Sequence, residues 1–225
     1  AMLILSAGDN RSGEPLNDMY EIPAYPMVAL MNIVGFHATT LGNHEFDSGQ
    51  EGLAKLIDMS TFPTLCANVI KDAGINMHVK PYQLYDCGGL TVGVIGAVAL
   101  SPLGIPESHP HNTTDMKFDA PLETIQEYRW LREKCDVVVL LSHLGYESDV
   151  EVSKSLPWVD IIVGGHSHTQ LKGGEVHNGI FITQNTNRLK RATHSTIVVE
   201  DGKVVKRMAE IARSEERRVG KECRS

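Results

Sequence analysis

Short apolar runs along the chain stop abruptly at polar, glycine-containing segments. Leu3-Ile4-Leu5 precedes Ser6-Ala7-Gly8-Asp9-Asn10, Val137-Val138-Val139-Leu140-Leu141 precedes Ser142-His143, and Ile161-Ile162-Val163 precedes Gly164-Gly165-His166-Ser167-His168. Apolarity that is continuous rather than alternating marks strands covered on both faces of a sheet. Helical spacing appears between them. Pro26 to Val34 carries Met27, Leu30, Met31 and Val34 three and four residues apart, and Gly35 supplies a stop. From Asp119 to Lys134 an Asp cap and Pro121 open a second helix with Leu122, Ile125, Tyr128 and Leu131 on one side. Ser148-Asp149-Val150-Glu151 has the form of a capping box and starts a short helix that Pro157 ends.

The last third alternates differently. Ile180 to Thr183 reads as a strand, and Ser195 to Val199 with Lys203 to Lys206 reads as a hairpin turning at Glu200-Asp201-Gly202. No repeat, low-complexity tract or linker interrupts the order, so the expected architecture is one α/β domain with mixed sheets.

Composition narrows the class of protein. The 225 residues carry 21 Lys+Arg against 28 Asp+Glu, a formal charge of -7. An acidic surface argues against a nucleic-acid polymer as partner, and no apolar run approaches the roughly 18 residues of a membrane span. The segment 213–225 shifts to high charge without periodicity and resembles translated sequencing-adapter read-through, so it is set aside as a non-native tail and the domain is taken as 1–212. Its five basic and three acidic residues removed, the chain keeps 16 against 25 and a charge of -9. Cys66, Cys87 and Cys135 show no paired spacing and read as free thiols.

Unusual polar residues gather in four loops that follow apolar segments. These are Gly8-Asp9-Asn10, Gly42-Asn43-His44-Glu45-Phe46-Asp47, Ser142-His143-Leu144-Gly145 and Gly165-His166-Ser167-His168. Loops at the carboxyl ends of strands are where open α/β sheets build their sites. Asp, Asn and His together form an oxygen and nitrogen donor set suited to Zn, Mn or Fe. Taken singly, Gly-Asp is commonly a turn, and Asn-His or Ser-His a polar contact. His-Ser-His is stronger, because alternate residues of extended backbone point the same way. The remaining histidines, His37, His78, His109, His111, His177 and His194, lack such surroundings. Trp130 and Trp158 read as packing residues, and Arg188 to Arg191 as a solvated strand edge.

Gly-Asp, Gly-Asn-His-Glu, Ser-His and Gly-His-x-His in this order resemble the calcineurin-like metallophosphoesterases. Leu41-Gly42-Asn43-His44-Glu45-Phe46-Asp47, Cys66-Ala67-Asn68-Val69, Lys80-Pro81-Tyr82, Gly93-Val94-Ile95-Gly96 and Ile161 to His168 resemble the bacterial 5′-nucleotidase branch in particular. The resemblance implies an α/β fold, a layered β-sandwich of two mixed sheets flanked by helices with its first strand missing, and hydrolysis of phosphate monoesters, 5′-nucleotides foremost, at two divalent metal ions. Asp9 would bridge the pair, Asn43, His143 and His166 would complete one ion, and His168 would contact the other. His44, oriented by Asp47, would be catalytic, and Asn43 with His44 would bind the phosphate. Two cations so placed would activate water and clamp phosphoryl oxygens, and a nearby imidazole would stabilise the developing charge or protonate the departing oxygen.

The pattern departs from the family in one respect: an Asp-x-His strand expected ahead of Asp9 is absent. An incomplete N-terminus is the expected explanation, and the fragment itself would then be a weak catalyst. A C-terminal domain that grips the nucleoside would also lie beyond this chain. By the same resemblance the location would be periplasmic or otherwise outside the cytoplasm. The readings set beside this one are a non-catalytic metal-binding relative and a phosphohydrolase for nucleotide sugars or cyclic nucleotides.

Overall fold

The computed structural model describes residues 1–70, 77–114 and 116–213. The segment 214–225, and with it nearly all of the expected tail, lies outside the described residues. Strands and helices are numbered in chain order. A smaller sheet sets β1 (Leu5–Ser6), β2 (Ala38–Thr40), β3 (Thr64–Leu65) and β5 (Val79–Lys80) side by side, every pairing parallel. A larger mixed sheet has the order β11 (Glu175–His177), β12 (Ile180–Gln184), β10 (Ile161–Gly164), β9 (Val137–His143), β7 (Thr91–Val98), β6 (Tyr82–Asp86). Its four inner strands run parallel and its two edges antiparallel. Two ribbons complete the strands, β4 (Val69–Ile70) with β8 (Lys117–Phe118) and β13 (Arg191–Glu200) with β14 (Lys203–Arg213).

The apolar runs are buried on both sides, as their lack of alternation demands. Val137, Val139 and Leu141 of β9 meet Ala38 and Leu65 of the smaller sheet, while Val138 and Leu140 pack away from it with Ile125, Val152 and Leu156. Helices therefore cover the outer faces. On one side lie α4 (Pro121–Glu127) and α5 (Tyr146–Ser153), and on the other α3 (Gly49–Met59), whose Leu53 and Ile57 pack with Leu41 and Cys66. The helix α2 (Tyr25–Val34) rests on α3 through Ala24, Val28 and Leu56, with the single turn α1 (Pro15–Asp18) before it. The result is a layered α/β sandwich, helices outside and two sheets face to face.

Several local expectations are corrected. The buried stripe of α2 is Ala24, Val28 and Met31, and Leu30 and Val34 are left exposed. Gly35 does end that helix, at φ +80°, its N–H donating to the carbonyls of Met31 and Asn32. The segment after Asp119 breaks at Tyr128 into α4 and a short 3-10 turn, and Ala120 rather than Asp119 stands at the cap position, with no side-chain cap bond. Ser148 is not a cap either: α5 begins two residues earlier, after Gly145 at φ +92°, and the Tyr146 N–H finds the Ser167 hydroxyl. The hairpin turns on Asp201 and Gly202, both at positive φ, and extends far beyond its predicted length. Arg213, assigned to the tail on composition, closes β14 opposite Arg191. Cys66, Cys87 and Cys135 are free thiols.

Candidate metal centre

Parallel strands of the two sheets deliver their carboxyl ends to one edge of the sandwich. Asp9 follows β1, Asn43 follows β2, His143 is the last residue of β9, and His166 follows β10. The ligand-capable atoms of Asp9, His143 and His166 all lie within 4.8 Å of one another. The Asn43 Oδ1 sits 3.2 Å from His143 Nε2 and 3.1 Å from His166 Nδ1, and Asp9 Oδ2 is 3.1 Å from His143 Nε2. Side chains distant in sequence therefore converge on one point.

The proton arrangement makes this point a fit for a cation. His143 Nδ1 faces the Ala7 carbonyl at 2.5 Å, and a carbonyl only accepts, so the proton is on Nδ1 and the Nε2 lone pair faces inward. Asn43 donates from Nδ2 to the Glu107 carbonyl at 3.1 Å, which turns Oδ1 toward the histidines. With His143 neutral, a carboxylate oxygen, an amide oxygen and an imidazole lone pair point at the same space. Borderline divalent cations favour this mixed donor set.

Without a cation the same crowding draws a proton between Asp9 and His143. Burial raises the Asp9 carboxyl, but its hydrogen bond and charge interaction with His143 outweigh this, so it ends below the ordinary value. Burial lowers the His143 imidazole, yet contact with Asp9 carries it above the usual range. His166, pushed down first by burial and then by the neighbouring His143, stays below it. The pair His143 and His166 sit with ring centroids 5.1 Å apart.

Backbone crowding explains the glycines. A Cβ on Gly42 would lie 2.2 Å from Asp9 Oδ1, and one on Gly165 would lie 2.7 Å from the Ala7 carbonyl that holds His143. Only hydrogen at these positions lets the ligand loops approach so closely.

His44 and Asp47 form a second group beside the first. The His44 N–H donates to Asp9 Oδ1 at 2.9 Å, and its Nδ1 lies 2.8 Å from Asp47 Oδ2, leaving Nε2 free to face outward. Burial lowers the His44 pKa, but Asp47 and Asp9 overcome it and the net shift is upward. Asp47 is itself held by Ser12 at 3.1 Å, Ser108 at 3.2 Å and the Arg11 guanidinium at 3.5 Å.

His168 does not join the cluster. Its side chain is exposed and its Nδ1 lies 3.5 Å from Asn187 Nδ2. The reason lies in the backbone: His166 and His168 adopt φ values of 71° and 54°, so the rule that alternate residues of an extended strand face the same way does not apply.

Several supporting residues escaped sequence reasoning. Glu45, fully buried, accepts the backbone N–H groups of Asp9 at 2.8 Å, Asn10 at 2.7 Å and Gly42 at 2.6 Å, tying two ligand loops together. Its place inside the Asn-His-Glu motif was the available signal. Glu107, Ser108, Asp149 and Gln184 carried no such signal, because each acts across a gap in sequence. Of the histidines set aside, His37 serves structure, accepting the Ile4 N–H on Nδ1, while the exposed His109 accepts the N–H of His111.

Layered sheets with loops gathering Asp, Asn and His at one edge define a metal-binding phosphoesterase fold, and the chain belongs to the calcineurin-like phosphoesterase family, which matches residues 1–170. Members of that family use divalent metals. Within it the chain is 36% identical to the protein UshA of Yersinia enterocolitica over 182 residues, 74% of this chain and 32% of the relative. It is 35% identical to the NAD 5′-nucleotidase of Haemophilus influenzae over 170 residues, 74% of this chain and 27% of the relative. The solved 5′-nucleotidase precursor of Thermus thermophilus superposes with a TM-score of 0.81 at 27% identity, over 94% of this chain and 45% of that one. The chain spans about a third of the length of the curated relatives it matches. Among the described residues no helix is long and apolar enough to cross a membrane.

Proposed function

We propose that this chain forms the catalytic part of a metal-dependent phosphoesterase that hydrolyses phosphate monoesters, with 5′-nucleotides as its substrates. The observation that carries the reading is the convergence of Asp9, Asn43, His143 and His166 on one point with His44 alongside. The names of the nucleotidase relatives support the substrate class. Those four residues would hold a divalent cation, which when bound stabilises phosphoryl charge and acidifies water. The two-ion reading adds His168 for a second cation, with zinc, manganese or iron suited to both.

This chain's own residues then have separate tasks. Asn43 and His44 receive the phosphate. Asp47 keeps a proton on His44 Nδ1 and favours the charged ring, so that Nε2 donates to the departing ester oxygen. A nucleoside-gripping domain of the parent and a location outside the cytoplasm complete the reading, both resting on the resemblance.

The test is phosphate release from AMP by the full chain with manganese or zinc, with metal binding followed by calorimetry. Metal-dependent release that His143→Ala abolishes is the expected result. Release indifferent to both chelator and that substitution, or a chain that binds no divalent metal, overturns the assignment. Two ions bound per chain support the dinuclear form, and one ion supports a mononuclear centre.

A further inference from the structure

Beneath the loop that carries His166 lies a buried amide that the chemistry above does not use. Gln184 ends β12, is 2% exposed, and pairs in register with Gly164 of β10. Its Nε2 donates to the Gly165 carbonyl at 2.8 Å, and its Oε1 accepts the Ser167 hydroxyl at 2.7 Å and the Thr169 N–H at 2.6 Å. One side chain thus grips the residues immediately before and after His166. It grips the far side of His168 as well.

His166 needs such a grip. A φ of 71° is left-handed backbone, which a residue with a Cβ adopts at a cost and keeps only where the surroundings over-determine it. In this conformation His166 Nδ1 faces Asn43 Oδ1. An extended backbone here would carry the ring elsewhere. The Ser167 hydroxyl also accepts the Tyr146 N–H at 2.9 Å, so the same clamp is anchored to the start of α5.

We propose that Gln184 is a positioning residue for the metal centre, holding the 165–169 turn in the left-handed form that aims His166 at the cation. The proposal rests on the reading of Asp9, Asn43, His143 and His166 as ligands. Gln184 itself is no ligand in this reading, so its removal acts on affinity through the histidines of the turn it holds.

Manganese affinity of the full chain, measured by calorimetry alongside the melting temperature without metal, tests this. Outer residues that orient ligating histidines typically change metal affinity by about 10–100-fold, and Gln184→Leu is expected to weaken binding by that factor. Thr183→Val, at the neighbouring buried position, loses a hydroxyl directed at the Ile162 carbonyl without touching the turn. It controls for general destabilisation and leaves affinity unchanged. Ser167→Ala, at an exposed position, removes one of the three Gln184 bonds along with the contacts to the Tyr146 N–H and the Thr169 hydroxyl, and gives a smaller loss in a chain that folds. Gln184→Glu, which keeps the acceptor but not the donor, falls between wild type and Gln184→Leu. Affinity unchanged in Gln184→Leu and Ser167→Ala, or lowered equally by Thr183→Val, overturns the assignment of Gln184 while the metal site stands. A wild-type chain that binds no manganese overturns both.

Discussion

Oxygen and nitrogen lone pairs pressed against one another repel unless a proton or a cation lies between them. At the cluster of Asp9, Asn43 and His143 the Asn43 amide is turned by Glu107 and the His143 tautomer is set by Ala7, so nothing there can rotate to relieve the conflict without losing another bond. His44 stands differently, since its ring faces Asp47 and only its backbone N–H reaches Asp9. His44→Gln should therefore lower turnover by about 10²–10⁴-fold, the usual worth of a general acid or base, and leave metal affinity near the wild-type value. Parallel loss of metal binding and turnover in calorimetry and phosphate-release assays would show that His44 supports the ligands instead.

Between elements, what matters is how closely the loops at the sheet ends approach. Gly42 follows β2 and faces Asp9 after β1, and a methyl group there would overlap Asp9 Oδ1 at 2.2 Å. Gly42→Ala should push the two loops apart, abolishing metal binding and lowering the melting temperature together. Calorimetry showing full affinity in that variant would mean the loops yield freely. The element boundaries teach a related lesson. The apolar runs announced β9, β10 and β12 because burial on both faces is a property of the run itself. They misjudged the buried side of α2, since Leu30 and Val28 are equally apolar and only the placement of α3 decides which one is covered.

For the whole molecule, stability and function share the same groups. A cation that binds only the folded chain stabilises it by mass action, about 2.7 kcal/mol at a hundredfold excess over Kd. Manganese should therefore raise the melting temperature of the wild-type chain and not that of His143→Ala, as a thermal scan with and without chelator will show. A pH effect comes from Asp149, fully buried on α5, its carboxylate accepting the Ser142 hydroxyl. Burial raises its pKa from 3.8 to about 7, with Ser142 and the charge of His143 pulling back only in part. Below 3.8 the group is neutral in both the folded and unfolded states. Between 3.8 and about 7 the folded state holds a proton that the unfolded state releases, so stability falls as pH rises through that window and levels off above it. Asp149→Asn removes this slope. Melting temperatures of the two chains should diverge in favour of the variant as pH rises, and a difference independent of pH would count against a raised Asp149.

Residue order alone determined which strands are buried on both faces, where the hairpin turns, and which loops gather the candidate ligands, since covering a run and turning a backbone are local demands. The pairing of His44 with Asp47, which the family resemblance implied, is seen at 2.8 Å. Tertiary structure decided the rest. Packing two sheets face to face brought Asp9 to His143 across 134 positions, placed Glu45 beneath both ligand loops, and put Gln184 under His166. It also left His168 exposed beside Asn187, outside the group of Asp9, His143 and His166.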